Sequence, residues 1–209
     1  MKRIVIATRN EGKHREMAEA LAGVAEVVSL EAFGELPEAV EDGETFAENA
    51  RIKAKHFAKE TGCACLADDS GLEVEALGGR PGVYSARFAG YHADDGTNNQ
   101  KLLSELERVG VSESKADYRC ALAFVDVDGS TLESEGVCYG TIKKTAQGKG
   151  GFGYDPYFYV EADKTMAELS LEEKNKISHR GAALRQMVTL LRGKVKGRGQ
   201  REQGSPERK

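Results

Sequence analysis

The stretch Ala67-Asp68-Asp69-Ser70-Gly71-Leu72 constrains this chain more than any other part of it. It follows Cys63-Ala64-Cys65-Leu66, a short apolar run after Gly62 that predicts a buried strand. We expect this strand to end at Asp68 and Asp69, where ligands sit in open α/β sheets. Adjacent carboxylates repel each other, and Mg²⁺ would neutralise them. Taken alone, the same residues also fit a solvated turn.

Composition excludes several classes of protein. The chain has 209 residues, 40% of them hydrophobic and 31% charged, which is typical of a folded domain with a sizeable core. A net charge of −4 argues against nucleic-acid binding as the main function. No apolar run reaches transmembrane length and the N-terminus lacks a signal-peptide pattern, so we expect a cytoplasmic protein without membrane association. The four cysteines lack zinc spacing and are expected to be buried, reduced thiols.

The N-terminus predicts a strand, a polar loop and a helix. The β-branched run Lys2–Thr8 is followed by the loop Thr8-Arg9-Asn10-Glu11-Gly12-Lys13, and the helix begins there. Backbone N–H groups at a helix start attract phosphate, and Lys13 adds a positive charge. The loop lacks the P-loop pattern, so a plain turn is the alternative.

Two further helices have clear boundaries. After a second strand at Val27–Leu30 and an acidic loop at 31–44, Thr45-Phe46-Ala47-Glu48 forms a capping box, and the helix that it begins ends at Gly62. Another helix is predicted over Asp94–Val109, with its leucines and Val109 on one stripe.

A hairpin and a glycine-rich loop come next. Residues 121–127 alternate toward a turn at Asp128-Gly129, and Thr131–Ile142 returns. One face of this hairpin is polar, which favours a second, antiparallel lobe. Four glycines between Gly148 and Gly153 surround Phe152, so the backbone could approach a ligand and the ring could stack on it. A flexible surface loop is the alternative.

The last helix is predicted to carry Ile177, Leu184, Val188 and Leu191 on its buried face, with Ser178 as N-cap. His179 and Arg180 follow in its first turn, where cations oppose the helix dipole, so we expect them to have another role. Residues 193–209 are rich in glycine and basic residues and are predicted to be a disordered tail. Residues 1–192 then form a single domain with two lobes.

Together these segments resemble the inosine/xanthosine triphosphate pyrophosphatases, from about residue 2 to about residue 192. The resemblance is carried by five motifs in order: Thr8-x-Asn10-x-x-Lys13, Ala67-Asp68-Asp69-Ser70-Gly71-Leu72, Gly79-x-Pro81-Gly82-x-Tyr84-Ser85-Ala86-Arg87, Gly151-Phe152-Gly153-Tyr154-Asp155-Pro156 and Ser178-His179-Arg180.

This resemblance implies a homodimeric α/β protein. It would have an elongated mixed β-sheet flanked by helices, and two lobes with an active-site cleft between them. The reaction would be Mg²⁺-dependent hydrolysis of ITP, dITP or XTP to the monophosphate and pyrophosphate. The aromatic segment Tyr84–Tyr91, too short to bury itself, also favours a contact between two copies.

The resemblance also implies roles for individual residues. Asp69 would bind the metal and act as the base for the attacking water, and Glu41 would be a second metal ligand. Asp68 would be either a further ligand or a group behind the ligands. Phe152 would stack on the base, whose edge Asp155, Lys174, His179 and Arg180 would hold, while Lys13 and Lys53 would neutralise phosphate charge. The residues expected to contact the substrate are Thr8, Arg9, Asn10, Glu11, Gly12, Lys13, Lys53, Ser70, Phe152, Gly153, Tyr154, Asp155, Lys174, His179 and Arg180.

Two alternatives stay open at this point. A related pyrophosphatase with a different base preference would share the fold, but the Ser178-His179-Arg180 motif argues against it. A non-catalytic nucleotide sensor would have lost the catalytic carboxylates, whereas Asp69 and Glu41 are both present.

Overall fold

The computed structural model describes residues 2–202, with side chains described from Arg3 to Lys194. The strands of this part of the chain are β1 (Lys2–Ile6), β2 (Ala25–Ser29), β3 (Ala64–Val74), β4 (Glu113–Val125), β5 (Thr131–Lys143) and β6 (Phe158–Tyr159). They form a six-stranded sheet in the order β2-β1-β3-β4-β5-β6. β1 is parallel to β2 and β3, and the other neighbours are antiparallel. The predicted mixed α/β sheet is confirmed.

Helices cover both faces of this sheet. They are α1 (Glu11–Ala20), α2 (Phe46–Thr61), α3 (Asp95–Arg108), α4 (Leu171–Ile177) and α5 (His179–Glu202). Side chains of successive strand residues point to opposite faces, so each face has its own core. In the part of the chain described here, no helix combines the length and apolar character needed to cross a membrane.

Three buried clusters make up the core. On one face, α1 and α5 pack on β1, β3 and β4 through residues that include Met17 and Leu184. On the opposite face, α2 packs Ala50, Ala54 and Phe57 against the same strands. The third cluster lies toward the C-terminal end of β3, beneath the leucines of α3.

α2 follows its sequence signals closely. The Thr45 hydroxyl accepts a hydrogen bond from the Glu48 N–H at 3.2 Å, and a Glu48 carboxylate oxygen accepts one from the Thr45 N–H at 3.1 Å. Gly62 ends the helix with a φ of 64°, the left-handed conformation that glycine adopts without strain. The predicted capping box and glycine stop are confirmed.

β3 does not end at the two aspartates, so that expectation was wrong. The strand continues to Val74 and pairs with β4 along its length, from Cys65 opposite Val125 to Val74 opposite Ala116. Antiparallel pairing supplies backbone partners for this stretch and overrides the turn preference of the Asp-Asp-Ser-Gly sequence. β1 leaves β3 at Leu66, and beyond that point this edge of β3 bonds to the 80–85 segment, through the Ser85 hydroxyl at the Leu72 N–H and a bridge between Glu73 and Pro81.

Other expectations also need correction. The polar hairpin of β4 and β5 is antiparallel, as expected, and it belongs to the same sheet as the parallel strands, so the second lobe stays a prediction. Ile177 and Val109, both expected on buried stripes, are 46% and 39% exposed because each lies at the end of a helix. Ile177 belongs to α4, a helix that was not predicted, and Ser178 separates it from α5. The Ser178 hydroxyl accepts a hydrogen bond from the Gly181 N–H at 3.0 Å, as expected of an N-cap.

The last helix extends past residue 192, where the sequence predicts that a tail begins, and the domain boundary itself stays a prediction. α5 continues to Glu202, and Lys194 lies 2.6 Å from a carboxylate oxygen of Asp126, whose side chain is completely buried. Lysine, arginine and glutamine are good helix formers, so a polar sequence can prolong a packed helix. Residues 203–209 lie outside the described part of the chain, and the disorder predicted there stays a prediction.

The substitution Lys194→Met is expected to lower the free energy of unfolding by about 1–3 kcal/mol, because a hydrogen-bonded cation is taken from a buried carboxylate. In a chain of this size each kcal/mol lowers Tm by roughly 2–4 °C. Lys59→Met is the control, since Lys59 is exposed on α2 and surface substitutions usually stay within about 0.5 kcal/mol. Equal unfolding curves for the two variants would show that the Lys194 pair does not stabilise the fold.

Candidate active site

A pocket opens on the α1 and α5 face of β3, where β1 has ended. Segments far apart in sequence meet there, because α1 starts at the end of β1 and α5 crosses β4 and β5. The side chains that line it include Asn10, Lys13, Ser70, Phe152, Lys174 and Arg180.

The start of α1 forms one wall. The Asn10 side chain caps the helix by accepting a hydrogen bond from the Lys13 N–H at 2.9 Å, and Thr8 accepts one from the Asn10 N–H at 3.2 Å. The Lys13 ammonium therefore points across to β3. Arg9 points elsewhere, to Glu38 at 2.8 Å in the acidic loop. Neither Arg9 nor Glu11 lines the pocket, so their substrate contacts stay predictions.

Asp68 is fully buried on the α1 and α5 face of β3. One carboxylate oxygen lies 3.0 Å from the Lys13 ammonium and accepts hydrogen bonds at 3.1 Å from Arg180 and from the Ser70 hydroxyl. Burial alone would raise the pKa of Asp68, but Lys13 and Arg180 outweigh burial and hold it well below its usual value. The other oxygen, Oδ1, makes no hydrogen bond to any described residue.

Glu16, which the sequence did not single out, continues this chain of charges. It is 2% exposed and accepts a hydrogen bond from Arg180 at 2.5 Å, while its other oxygen lies 3.0 Å from the Lys174 ammonium. Lys174 in turn donates to Asp155 at 2.8 Å. Burial would lower the pKa of Arg180, but the carboxylates of Asp68 and Glu16 outweigh burial and raise this pKa above its usual value. We call this set the buried ion network; its members are Lys13, Glu16, Asp68, Asp155, Lys174 and Arg180.

An aromatic platform lies against the network. The Lys174 ammonium is 4.3 Å from the centroid of the Phe152 ring, and the Arg180 guanidinium is 5.6 Å from it. Both distances are within the range of cation–π attraction. Gly12 lies directly against the Phe152 ring, because a Cβ added to Gly12 would be 2.5 Å from Cδ1 of Phe152. The loop of residues 8–13 and the glycine-rich loop therefore touch directly.

His179 is buried beside the network and stacks on Tyr118, with ring centroids 4.7 Å apart and planes 16° from parallel. Burial, together with the neighbouring Arg180 and Lys174 charges, holds the pKa of His179 well below its usual value. The imidazole is therefore neutral at pH 7. Its Nδ1 has no hydrogen-bond partner among the described residues.

Asp69 points to the opposite face of the sheet, toward α2. The Lys53 ammonium reaches this side from α2, lies 2.8 Å from Glu41 and donates to the backbone carbonyl of Asp68 at 3.0 Å. Burial raises the pKa of Asp69, and Lys53 and Lys13 offset only part of that effect. Burial would lower the pKa of Lys53, but Glu41 and Asp68 outweigh burial and raise it.

Adjacent residues of a continuous strand face opposite ways, so Asp68 and Asp69 do not lie side by side on one face of the sheet, and a direct contact of Asp68 with a metal stays a prediction. Asp69 and Glu41 fit a hard divalent cation better. Oδ2 of Asp69 is buried and makes no hydrogen bond within the described residues, and Glu41 is close enough to influence the pKa of Asp69. Within the same residues no three His, Cys, Asp or Glu side chains cluster as ligands. Water and substrate oxygens would complete the shell, as is usual for Mg²⁺.

Most of the predicted substrate residues come together at this pocket. Ser70, Phe152, Gly153, Tyr154, Asp155, Lys174, His179 and Arg180 all line it, whereas Lys53 lies on the α2 side of β3. Tyr154 is buried, and its hydroxyl donates to the Ser85 carbonyl at 2.7 Å, so it holds the glycine-rich loop. Glu16 and Tyr118 were missed, because an isolated acid in α1 and an aromatic residue in a strand carry no local signal of a site.

Comparison with known proteins agrees with this arrangement. A sequence model of the Ham1 family matches residues 4–190. A dITP/XTP pyrophosphatase of Geobacter sulfurreducens is 53% identical over 186 residues, 88% of this chain and 94% of that protein. A dITP/XTP pyrophosphatase of Desulforamulus reducens is 51% identical over 191 residues, 90% of this chain and 95% of that protein. The solved structure of a HAM1 protein from Coxiella burnetii superposes with a TM-score of 0.82 at 44% identity, covering 92% of this chain and all of that one.

The substitution Arg180→Met is expected to lower the free energy of unfolding by about 3–5 kcal/mol, since it removes the cation that the buried carboxylates of Asp68 and Glu16 share. Methionine keeps much of the volume of the arginine side chain, so the lost free energy of unfolding reports on the missing charge. Arg185→Met on the exposed side of α5 is the control and is expected to cost less than about 1 kcal/mol. If urea unfolding gave similar free energies for both variants, the network would not stabilise the fold.

Proposed function

The chain belongs to the Ham1 family, and we propose on this basis that it is a dITP/XTP pyrophosphatase, an enzyme of nucleotide metabolism. It hydrolyses non-standard purine nucleoside triphosphates (ITP, dITP and XTP) to the monophosphate and pyrophosphate. The observation that carries the proposal is one pocket lined both by a cation-backed aromatic ring and by a helix start with a lysine. Such a pocket fits a base and a phosphate chain at the same time.

The phosphate chain binds between the start of α1 and β3. Backbone N–H groups of the first turn of α1 and the Lys13 ammonium face the anion, and Ser70 supplies a hydroxyl. The phosphate chain extends past the edge of β3 that β1 has left, to the α2 side where Lys53 and Asp69 lie, so Lys53 can compensate charge that builds on the leaving pyrophosphate. These cations are held in place before substrate arrives, which is what electrostatic stabilisation requires.

Asp69 and Glu41 would hold Mg²⁺, which would polarise the phosphate oxygens and neutralise their charge. Asp69 also accepts the proton of the attacking water. Burial raises the pKa of Asp69, which makes the carboxylate a stronger base than an exposed aspartate. Asp68 stays in the buried ion network, which supports a positioning role for it rather than metal binding.

The base stacks on Phe152. The Lys174 ammonium, 4.3 Å from the centroid of this ring, places a positive charge beside the stacked base. Asp155 accepts a hydrogen bond from the Phe152 N–H at 3.0 Å and so fixes the backbone of Phe152. His179, whose Nδ1 makes no hydrogen bond within the described residues, is available to bond the edge of the base. Arg180 acts mainly by holding Asp68 and Glu16 in place.

The proposal includes a cleft between two lobes and a homodimer acting in the cytoplasm. Two separate hydrophobic clusters flank Asp68 and Ser70 on one face of the sheet, which supports a cleft within one domain of residues 1–192. Tyr84 and Tyr91 are 60% and 89% exposed, and a second copy would bury them.

In sedimentation equilibrium, the wild-type protein is expected to have the mass of a dimer. The double variant Tyr84→Ser, Tyr91→Ser is expected to have the mass of a monomer. A monomeric wild type would remove the homodimer from the proposal.

Pyrophosphate release is the direct test. With Mg²⁺, the protein is expected to convert dITP and XTP to the monophosphate and pyrophosphate, and to hydrolyse ATP at least about a hundredfold less efficiently. Product analysis by anion exchange separates this reaction from stepwise release of phosphate. Release of orthophosphate with the diphosphate as intermediate, or equal kcat/KM for ATP and dITP, would refute the proposed function.

Asp69→Asn is expected to lower kcat by at least 10²–10⁴-fold, roughly the contribution of a general base, with further loss from weaker metal binding. The change keeps the shape of the side chain, so the circular dichroism spectrum and Tm should be close to wild type. Asp42→Asn, in the acidic loop next to Glu41, is the matched control and should keep activity. A variant at Asp69 with more than about a tenth of the wild-type rate would exclude the role of base.

A further inference from the structure

We propose that Asp95 and Asn99 of α3 are positioning residues that clamp the glycine-rich loop and thereby set the place of the Phe152 ring. This inference rests on the proposed function, since it concerns how the base site is held. Neither residue follows from the motifs of the sequence.

Both backbone groups of Gly153, the residue after Phe152, bond to α3. The Gly153 N–H donates to an Asp95 carboxylate oxygen at 2.6 Å, and the Asn99 side-chain amide donates to the Gly153 carbonyl at 2.9 Å. Asp95 and Asn99 are four residues apart on the helix, so they lie one turn apart on the same face. A single peptide segment is thus held at both of its polar groups by one rigid element.

The loop needs such a clamp because of its composition. Gly148, Gly151 and Gly153 all have positive φ angles, of 79°, 73° and 64°. Glycine backbones lose the most conformational freedom on ordering, so a free loop of this sequence would populate many conformations. Phe152 lies between two of these glycines, and its ring position depends on both.

The opposite side of the loop is already held by the buried ion network. Asp155 accepts a hydrogen bond from the Phe152 N–H at 3.0 Å, and Lys174 holds Asp155 at 2.8 Å. The network therefore fixes the backbone before the ring, and α3 fixes the backbone after it. Removal of the α3 contacts would free both peptide groups of Gly153, while Tyr154 would still tie the next residue to Ser85.

The neighbouring asparagine of α3 extends the same function to the next segment. Asn98 accepts a hydrogen bond from the Ala89 N–H at 2.9 Å and donates to the Ala86 carbonyl at 3.2 Å. Tyr154 bonds to Ser85 in that segment. α3 thus ties the glycine-rich loop and the 85–89 segment together along one wall of the pocket.

Loss of the clamp should change substrate binding rather than chemistry. If only a fraction of the molecules has the ring in place, the apparent affinity falls by that fraction. We expect Asn99→Ala and Asp95→Ala to raise KM for dITP about three- to tenfold, the effect of one lost hydrogen bond, with kcat changed less than about twofold. Inhibition by inorganic pyrophosphate, which occupies only the phosphate end, should be unchanged.

The chain contains no tryptophan, so F152W creates a single fluorescent reporter on the loop. In this background, Asn99→Ala and Asp95→Ala should increase quenching by acrylamide. Two controls should not do so: Gln100→Ala, exposed on the same helix, and Asp95→Asn, which keeps an acceptor for the Gly153 N–H. Asp95→Asn should also restore KM in the Phe152 enzyme.

Unchanged quenching in both alanine variants, or a fall in kcat at constant KM, would overturn the inference. Thermal unfolding identifies a variant that fails to fold; should Asn99→Ala do so, the exposed Asp95 pair of variants decides the result. If the wild type did not hydrolyse dITP or XTP, the proposed function would fail, and the quenching data would still report on the clamp.

Discussion

The buried ion network joins parts of the chain that lie far apart in sequence. Lys13 and Glu16 come from α1, Asp68 from β3, and the remaining members from the glycine-rich loop, α4 and α5; the three cations match the three carboxylates. Ion pairs of this kind are weak evidence for stability, because desolvation offsets much of their attraction. A set of fixed charges beside a pocket is better explained by function, since it gives an anionic substrate a preorganised environment.

The continuous course of β3 divides the chemistry of the site between two faces. Even-numbered residues from Leu66 to Leu72 face α1, α5 and the pocket, whereas Asp69 faces α2. The sheet thus keeps two adjacent carboxylates apart and gives them different electrostatic surroundings. Asp68 is held ionised by Lys13 and Arg180, while the pKa of Asp69 is raised by burial. Two adjacent aspartates can therefore have one structural and one chemical role.

Features encoded in neighbouring residues could be predicted from the sequence. The capping box at Thr45 and the glycine at residue 62 define α2, because each acts within a few residues. The path of β3 could not be read in this way, since pairing with β4 outweighs the local turn preference. Glu16 could not be found either, because its partner Arg180 lies 164 residues away. A charge that is satisfied only by the tertiary fold looks like a surface charge in the sequence.

Under the proposed function, the hydrogen bonds of Arg180 to buried carboxylates limit its part in base recognition. Its Nε, Nη1 and Nη2 atoms all donate to Asp68 or Glu16, so moving the guanidinium toward a base would take one buried cationic partner from each of these carboxylates. His179 has spare capacity in the same pocket, because its Nδ1 makes no hydrogen bond to a described residue. A neutral imidazole offers one donor and one acceptor, and the donor suits the 6-oxo group of hypoxanthine or xanthine but not the 6-amino group of adenine. Discrimination then depends on the tautomer of one buried ring, which its neighbours select, and not on the charge of the arginine.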